Sequence, residues 1–298
     1  MTVKIYGDMY LDFIYSGLRE LPGLGEEVFS EALDIQLGGG AMAIAVILNR
    51  LGVPQQLYTA LGQDYFSAIC RTLLAQEGMS PINVYTGVDC PVAVTSVLSL
   101  ERDRSFVCNS PLRGKRHLED EALYRLLQGT PVTYYHSANR EAYRRLRQEG
   151  TLLIYDTGWE HDLDIASLRE DLIHVDIFTP NDKEALKMTG APTVAAALDI
   201  LAEHVETVVI KVGAQGCVAR QGGRTWQVGM PCPFEAVDTT GAGDNFMAGL
   251  IYGLIQGWPL EKALQMANVV AGHSTTAPGC YKAGITLEKA AALMALYL

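Results

Sequence analysis

Apolar residues fall in short runs that alternate with helical spacings, most regularly after residue 130. Val132–His136, Thr151–Asp156, Val175–Thr179 and Thr207–Lys211 read as strands. Glu141–Glu149, Ile165–Leu172, Asp182–Met188 (stopping at Gly190) and Val194–His204 read as the helices between them. Strand and helix in alternation predict an α/β fold with a parallel sheet covered on both faces. Ligands of such sheets sit beyond the carboxyl ends of the strands. At the start, Met1–Asp8 reads as a first strand and lacks the basic and apolar regions of a signal peptide.

Two segments break the rhythm. Val28–Leu37 follows the turn Leu21-Pro22-Gly23-Leu24-Gly25, and Val92–Cys108 is split by the charged turn Glu101–Arg104. Both read as antiparallel β-structure. They predict a small β lid, from segments near 12–37 and 88–110, interrupting one domain that spans 1–298.

Composition narrows the class. Hydrophobic residues make up 49% and charged residues 19% of 298, a globular balance. No apolar run approaches the roughly 20 residues of a membrane span. A net charge of −11 argues against nucleic acid and acidic membranes as partners. It leaves room for an anionic nucleotide, because amides, a helix N-terminus and Mg²⁺ hold phosphate locally. The six cysteines form no C-x-x-C pair and read as free thiols of a reducing cytoplasm.

The candidate chemistry centres on Asp238-Thr239-Thr240-Gly241-Ala242-Gly243-Asp244. Gly241 and Gly243 allow a tight turn, and Phe246, Leu250 and Leu254 place a helix from near Gly243 to Gln256. The first amides of a helix are unpaired and attract anions. A carboxylate there, Asp244, can take a proton from a hydroxyl while the amides steady a transferring phosphoryl group. On spacing alone, Asp244 is slightly more often an acid placed for the helix dipole. Phe246 stands where a dinucleotide fingerprint needs its third glycine, and no Walker A motif exists.

The run from Asp238 to Asp244 resembles the C-terminal signature of the ribokinase-like (PfkB) carbohydrate kinases, and further segments match in order along the chain. Asn181-Asp182-Lys183-Glu184 resembles the family's N-x-x-E segment, and Lys211-Val212-Gly213-Ala214-Gln215-Gly216 its K/T-x-G-x-x-G strand end. Leu37-Gly38-Gly39-Gly40-Ala41 and the helix ending at Gly52 resemble the first signature; Gly7 with Asp12, and Gly62 with Asp64, fit smaller motifs. Read alone, Asn181 and Glu184 are a capped helix start, Lys211–Gly216 a turn between strands, and Asp12 a solvated turn residue.

The resemblance implies a three-layer domain with a mostly parallel central sheet and a β-sheet lid. It implies ATP-dependent phosphorylation of a hydroxyl, most simply a primary one, on a sugar-like molecule. Asp244 would be the general base, with Gly241, Ala242 and Gly243 forming the anion hole. Asn181, Glu184, Lys211, Gly213, Gly216, Thr240, Asn268 and Gly279 would face the nucleotide, with Mg²⁺ held near Glu184 through water. In members that use a monovalent cation such as K⁺, Asp238 and Thr240 would contribute to its site. Asp12 and Gly38, Gly39 and Gly40 would hold the substrate, since a carboxylate accepts from vicinal hydroxyls. Lid pairing in the family implies a homodimer.

One departure bears on the substrate. Ala43 stands where many members have a sugar-binding Asn, and Tyr10 where Asn is frequent. A nucleoside is therefore the rival acceptor. A sugar phosphate, with cations from Arg102 and Arg104, ranks lower, as does a non-catalytic sensor of sugar or nucleotide. A dinucleotide oxidoreductase ranks last.

Overall fold

The computed structural model describes residues 1–100, 104–112, 118–158 and 162–297. The strands are β1 (Val3–Tyr6), β2 (Tyr10–Leu18), β3 (Ala32–Gly38), β4 (Gln55–Thr59), β5 (Ile82–Asn83), β6 (Ala93–Leu100), β7 (Arg104–Asn109), β8 (Val132–Tyr134), β9 (Leu152–Tyr155), β10 (Ile177–Phe178), β11 (Thr207–Lys211), β12 (Cys217–Gln221) and β13 (Arg224–Val228). The helices are α1 (Gly40–Arg50), α2 (Tyr65–Gln76), α3 (Asp120–Leu127), α4 (Arg140–Gln148), α5 (Ile165–Leu172), α6 (Asp182–Thr189), α7 (Val194–Leu201), α8 (Ala242–Ile255), α9 (Leu260–Ser274) and α10 (Leu287–Met294).

The chain divides into two compact units, Met1–Ile5 with Ile44–Gln56 and Leu118–Leu298, and Tyr6–Ala43 with Leu57–His117. The larger holds a six-stranded sheet in the order β13-β12-β11-β10-β9-β8. Strands β8 to β11 run parallel, and β12 and β13 close one edge as an antiparallel hairpin. The parallel strands are apolar because both faces are covered: Leu153, Ile154, Val208, Val209 and Ile210 are fully buried. The bounds of α5 and β11 match the sequence expectation, and Gly190 ends α6 in the left-handed conformation.

Helix α8 is buried continuously from Asn245 to Gly253 and packs on α9. An apolar helix sunk in a core this way has little freedom to shift, so its first turn is held in place.

The smaller unit contains a four-stranded sheet, β3-β2-β6-β7, in which β3, β6 and β7 come from the two segments that broke the rhythm and β2 lies ahead of both. Its outer pairs are antiparallel, as expected, but β2 and β6 run parallel. Parallel neighbours need a long crossover, and here more than seventy residues intervene, which local patterning does not register. The expected turn residues Glu101, Arg102 and Asp103 lie outside the described residues, and with them the cation suggested at Arg102. No helix among the described residues is long and apolar enough to cross a membrane. All six cysteines are free thiols.

Candidate active site

In the larger unit the carboxyl ends of β9, β10 and β11 converge. Asp156 follows β9, Asn181 and Glu184 open α6 after β10, and Lys211 ends β11, with Asn181 and Lys211 bridged in parallel. The Asn181 Oδ1 accepts from the Glu184 amide at 2.9 Å, and Glu184 Oε2 accepts from the Asn181 amide at 2.8 Å. This reciprocal capping box leaves Glu184 only 5% exposed. Burial raises its carboxyl above the usual range, and the nearby Asp156 charge adds to that.

Asp244 lies in the first turn of α8, beyond Gly241, the N-cap, which has φ 71°. Asn245 fixes this turn. Its Nδ2 donates to the carbonyls of Gly241 at 2.8 Å and Cys280 at 2.6 Å. Asp238 fixes its approach, accepting at Oδ1 from the Thr240 amide and hydroxyl, and at Oδ2 from the Gly279 amide at 2.9 Å. The Ala242 amide was expected to face an anion; it donates instead to the Thr239 carbonyl at 3.3 Å. The turn curls back on itself one residue before the free amides begin. No backbone acceptor among the described residues meets the amides of Gly243 and Asp244.

Electrostatics distinguish Asp244 from an ordinary helix acid. Burial, then the Asp156 charge, push its carboxyl up to about 7, with the Lys211 ammonium pulling the other way. A carboxylate poised near neutrality is suited to accept a proton in turnover.

Lys211–Gly216 forms a tight turn, with the Val212 amide donating to the Gly216 carbonyl at 2.9 Å. Gly216 has φ 93°, and a Cβ there would lie 2.1 Å from the Val228 carbonyl oxygen. Asn268, expected at the nucleotide, is 1% exposed and donates to the carbonyls of Val228 and Gly229 at 2.9 and 3.1 Å. Its amide braces the wall behind Gly216.

The described residues contain no cluster of three or more His, Cys, Asp or Glu able to ligate a metal directly. Glu184 keeps Oε1 outside its capping bond, beside the charge of Asp156. A hard divalent ion that retains water and binds phosphate oxygens fits this donor set. A cavity of 680 Å³ at the far end of α8, lined by Tyr252, Trp258, Met266 and Met294, contains none of these groups.

In the smaller unit, Asp12 on β2 sits opposite Gln36 on β3 and Thr95 on β6. Burial pushes its carboxyl up to about 6, against a hydrogen bond from Thr95. A Cβ on Gly38 would lie 2.4 Å from Asp12 Oδ2, so only glycine leaves that oxygen open. Gly39 and Gly40 lead into α1, where Ala43 is fully buried.

Asp156 and Asn245 were not singled out from the sequence. Asp156 ends a legible strand, but its partner stands 55 positions away. Asn245 meets a loop 35 positions on.

Known proteins resemble the chain along almost all of its length. A match to the family described as pfkB family carbohydrate kinase spans residues 5–286. A probable fructokinase-4 of Arabidopsis thaliana is 27% identical, over 93% of this chain and 92% of that protein. The structure of Arabidopsis thaliana ribokinase complexed with ribose and ATP superposes with a TM-score of 0.85 at 21% identity, covering 98% of each chain. A nucleoside kinase of Burkholderia thailandensis in complex with inosine gives 0.79 at 20% identity, over 100% of this chain and 97% of that one.

Proposed function

Because this chain belongs to the pfkB family of carbohydrate kinases, we propose that it transfers the γ-phosphoryl group of ATP to a hydroxyl of a small sugar, with Asp244 as general base. The observation that carries this reading is the pairing of the two free amides, Gly243 and Asp244, with a carboxylate held near neutrality by burial. In the reaction the acceptor oxygen bonds to the γ-phosphorus, the bond from that phosphorus to the bridging oxygen breaks, and the acceptor proton goes to Asp244. The two amides donate to the phosphoryl oxygens as charge spreads over them. Glu184, through water, would hold Mg²⁺ beside the phosphates, and the ion would supply neutralisation of their charge. The glycines of the Lys211–Gly216 turn and Gly279 let the nucleotide approach the backbone, and Thr240 and Asp238 are the candidates for a K⁺ site. Asn268 supports the nucleotide wall from behind.

Asp12 accepts acceptor hydroxyls, with the Gly38–Gly40 turn beside it. Gly38→Ala places a methyl against Asp12 Oδ2. The expected result is a rise in the acceptor KM of about tenfold or more, with the ATP KM unchanged, because a blocked hydroxyl acceptor costs about 1–3 kcal/mol. An unchanged acceptor KM removes Asp12 from the substrate site.

A nucleoside acceptor is the second reading, favoured by Ala43, which offers no side-chain hydrogen bond. ADP release measured with sugars, nucleosides and buffer alone separates the readings. The proposal expects release with a sugar; release only with nucleosides moves the assignment to that class. ADP-free binding of either would make the chain a sensor, a role with no use for a base at Asp244.

Leu33, Phe106 and Val107, on the four-stranded sheet, are 52%, 57% and 65% exposed. Apolar surface on a sheet calls for cover, which supports a homodimer paired through this sheet. Light scattering at micromolar concentration reads it directly, and a monomer mass contradicts it.

A further inference from the structure

Asp156 lies outside the family motifs matched in the sequence, yet it stands among the larger unit's strand ends beside Lys211. Its Oδ2 accepts from Lys211 Nζ at 2.6 Å, and both side chains are 14% exposed. The Tyr134 hydroxyl donates to the Asp156 carbonyl at 3.2 Å and steadies the strand end. Taking an ion pair out of water costs several kcal/mol per ion, and apolar side chains of similar volume would serve stability as well. A stability role therefore does not account for the pair.

The position of the ammonium does. A Cβ on Gly243 would lie 3.1 Å from Lys211 Nζ and 3.6 Å from Asp156 Oδ2. The pair thus packs directly on the turn whose Gly243 and Asp244 amides face no acceptor. Lysine carries its charge on a flexible four-carbon stem, so without an anchor the ammonium would sample many positions. The second Asp156 oxygen, Oδ1, is buried without a hydrogen-bond partner, and Lys211 is the charged group that the carboxylate meets, beside a backbone contact from Thr157.

We propose that Asp156 is a positioning residue for phosphoryl transfer: its carboxylate pins the Lys211 ammonium against Gly243, where that ammonium meets the terminal phosphoryl group of the nucleotide. This rests on the kinase reading above. Lys211 is the group that touches the nucleotide, and Asp156 positions it; because the Asp156 charge also raises the Asp244 carboxyl, kcat is compared well above pH 7, where Asp244 is ionised in every variant.

The test compares Asp156→Asn, Lys211→Met and the double variant with wild type. Lys211→Met lowers kcat about 10²–10³-fold, the usual loss for one donor to a developing oxyanion. Asp156→Asn lowers it about 10²-fold, as expected for a catalytic group displaced by about 1 Å. Acceptor KM stays the same, and ADP, which lacks the terminal phosphoryl group, binds all variants equally by calorimetry. The double variant is no slower than Lys211→Met, because Asp156 has nothing left to position. Asp156→Glu, which keeps the charge, recovers part of the lost kcat. Should Asp156→Asn fold poorly with Lys211 left uncompensated, the double variant restores Tm and still decides the question through its kcat. Losses that multiply in the double variant, weakened ADP binding, or wild-type kcat in Asp156→Asn would overturn the proposal while leaving the kinase reading intact. A wild-type protein that releases no ADP with any acceptor overturns both.

Discussion

Asp244→Asn loses about 10²–10⁴-fold in kcat/KM, the usual contribution of a general base, while ATP still binds. The substitution keeps the side chain's volume and removes its negative charge and its capacity to take a proton. The same variant is more heat-stable than wild type at pH 8 in the absence of nucleotide. The sign follows from the carboxyl's shift from 3.8 in the unfolded chain to about 7 in the folded one. Where the folded pKa of an acid is the higher, the unfolded state releases its proton first. The cost of charging this half-buried, desolvated group then grows as pH rises from about 4 to about 7 and is complete above that. Asparagine avoids the cost, so its Tm advantage is present at pH 8 and disappears near pH 4. Near-normal turnover in this variant, or a lower Tm at pH 8, contradicts the role assigned to Asp244. Stability given up for a group that works is a common trade at active sites.

Gly241→Ala has the second-largest expected effect. Gly241 has φ 71°, a conformation that costs an L-residue about 1–2 kcal/mol. A Cβ there would also lie 2.4 Å from the Cys280 Cβ and 2.9 Å from its Cα, so the loop carrying Gly279 has to move. Asn245, which bonds the carbonyls of both Gly241 and Cys280, cannot keep both bonds if they separate. Strain and overpacking together cost about 2–4 kcal/mol, which lowers Tm by about 3–6 °C in a chain of this size. The amides of Gly243 and Asp244 shift with the turn, and kcat falls about 10²-fold. Calorimetry and turnover measured on the same preparation check both. Wild-type values for both would mean that the turn is not held in the way described.

What the sequence made legible follows from the range of the interactions involved. Helix α5 and strand β11 were placed to the residue, because period and flanking turn residues act within a few positions. The capping box at Asn181 and Glu184 was readable for the same reason. The parallel pairing of β2 with β6, the tie from Asn245 to Cys280, and the Asp156–Lys211 pair all join residues 35 or more positions apart. Spacing rules carry no information at that range. The Ala242 amide was misjudged on a finer point: the first free donors of α8 begin one residue later, at Gly243. Asn268, expected at the nucleotide by resemblance, is buried beside Gly216 with its amide on the Val228 and Gly229 carbonyls, a placement that spacing does not register.

Within the site, the environment rather than residue type separates the carboxylates. Glu184 is engaged by a capping bond, Asp238 by donors from Thr240 and Gly279, Asp156 by a lysine. Asp244 combines burial with a neighbouring negative charge and sits beside unclaimed amides, the combination expected of a base.

The most direct test is therefore the pH dependence of acceptor-dependent ADP release by the wild-type protein, read as kcat/KM. The expected profile rises with unit slope at low pH and levels near pH 7, where the Asp244 carboxyl titrates in the free protein. A profile that stays flat down to pH 5, or ADP release that proceeds equally without an acceptor, would contradict the assignment of Asp244 as the base of a small-molecule kinase.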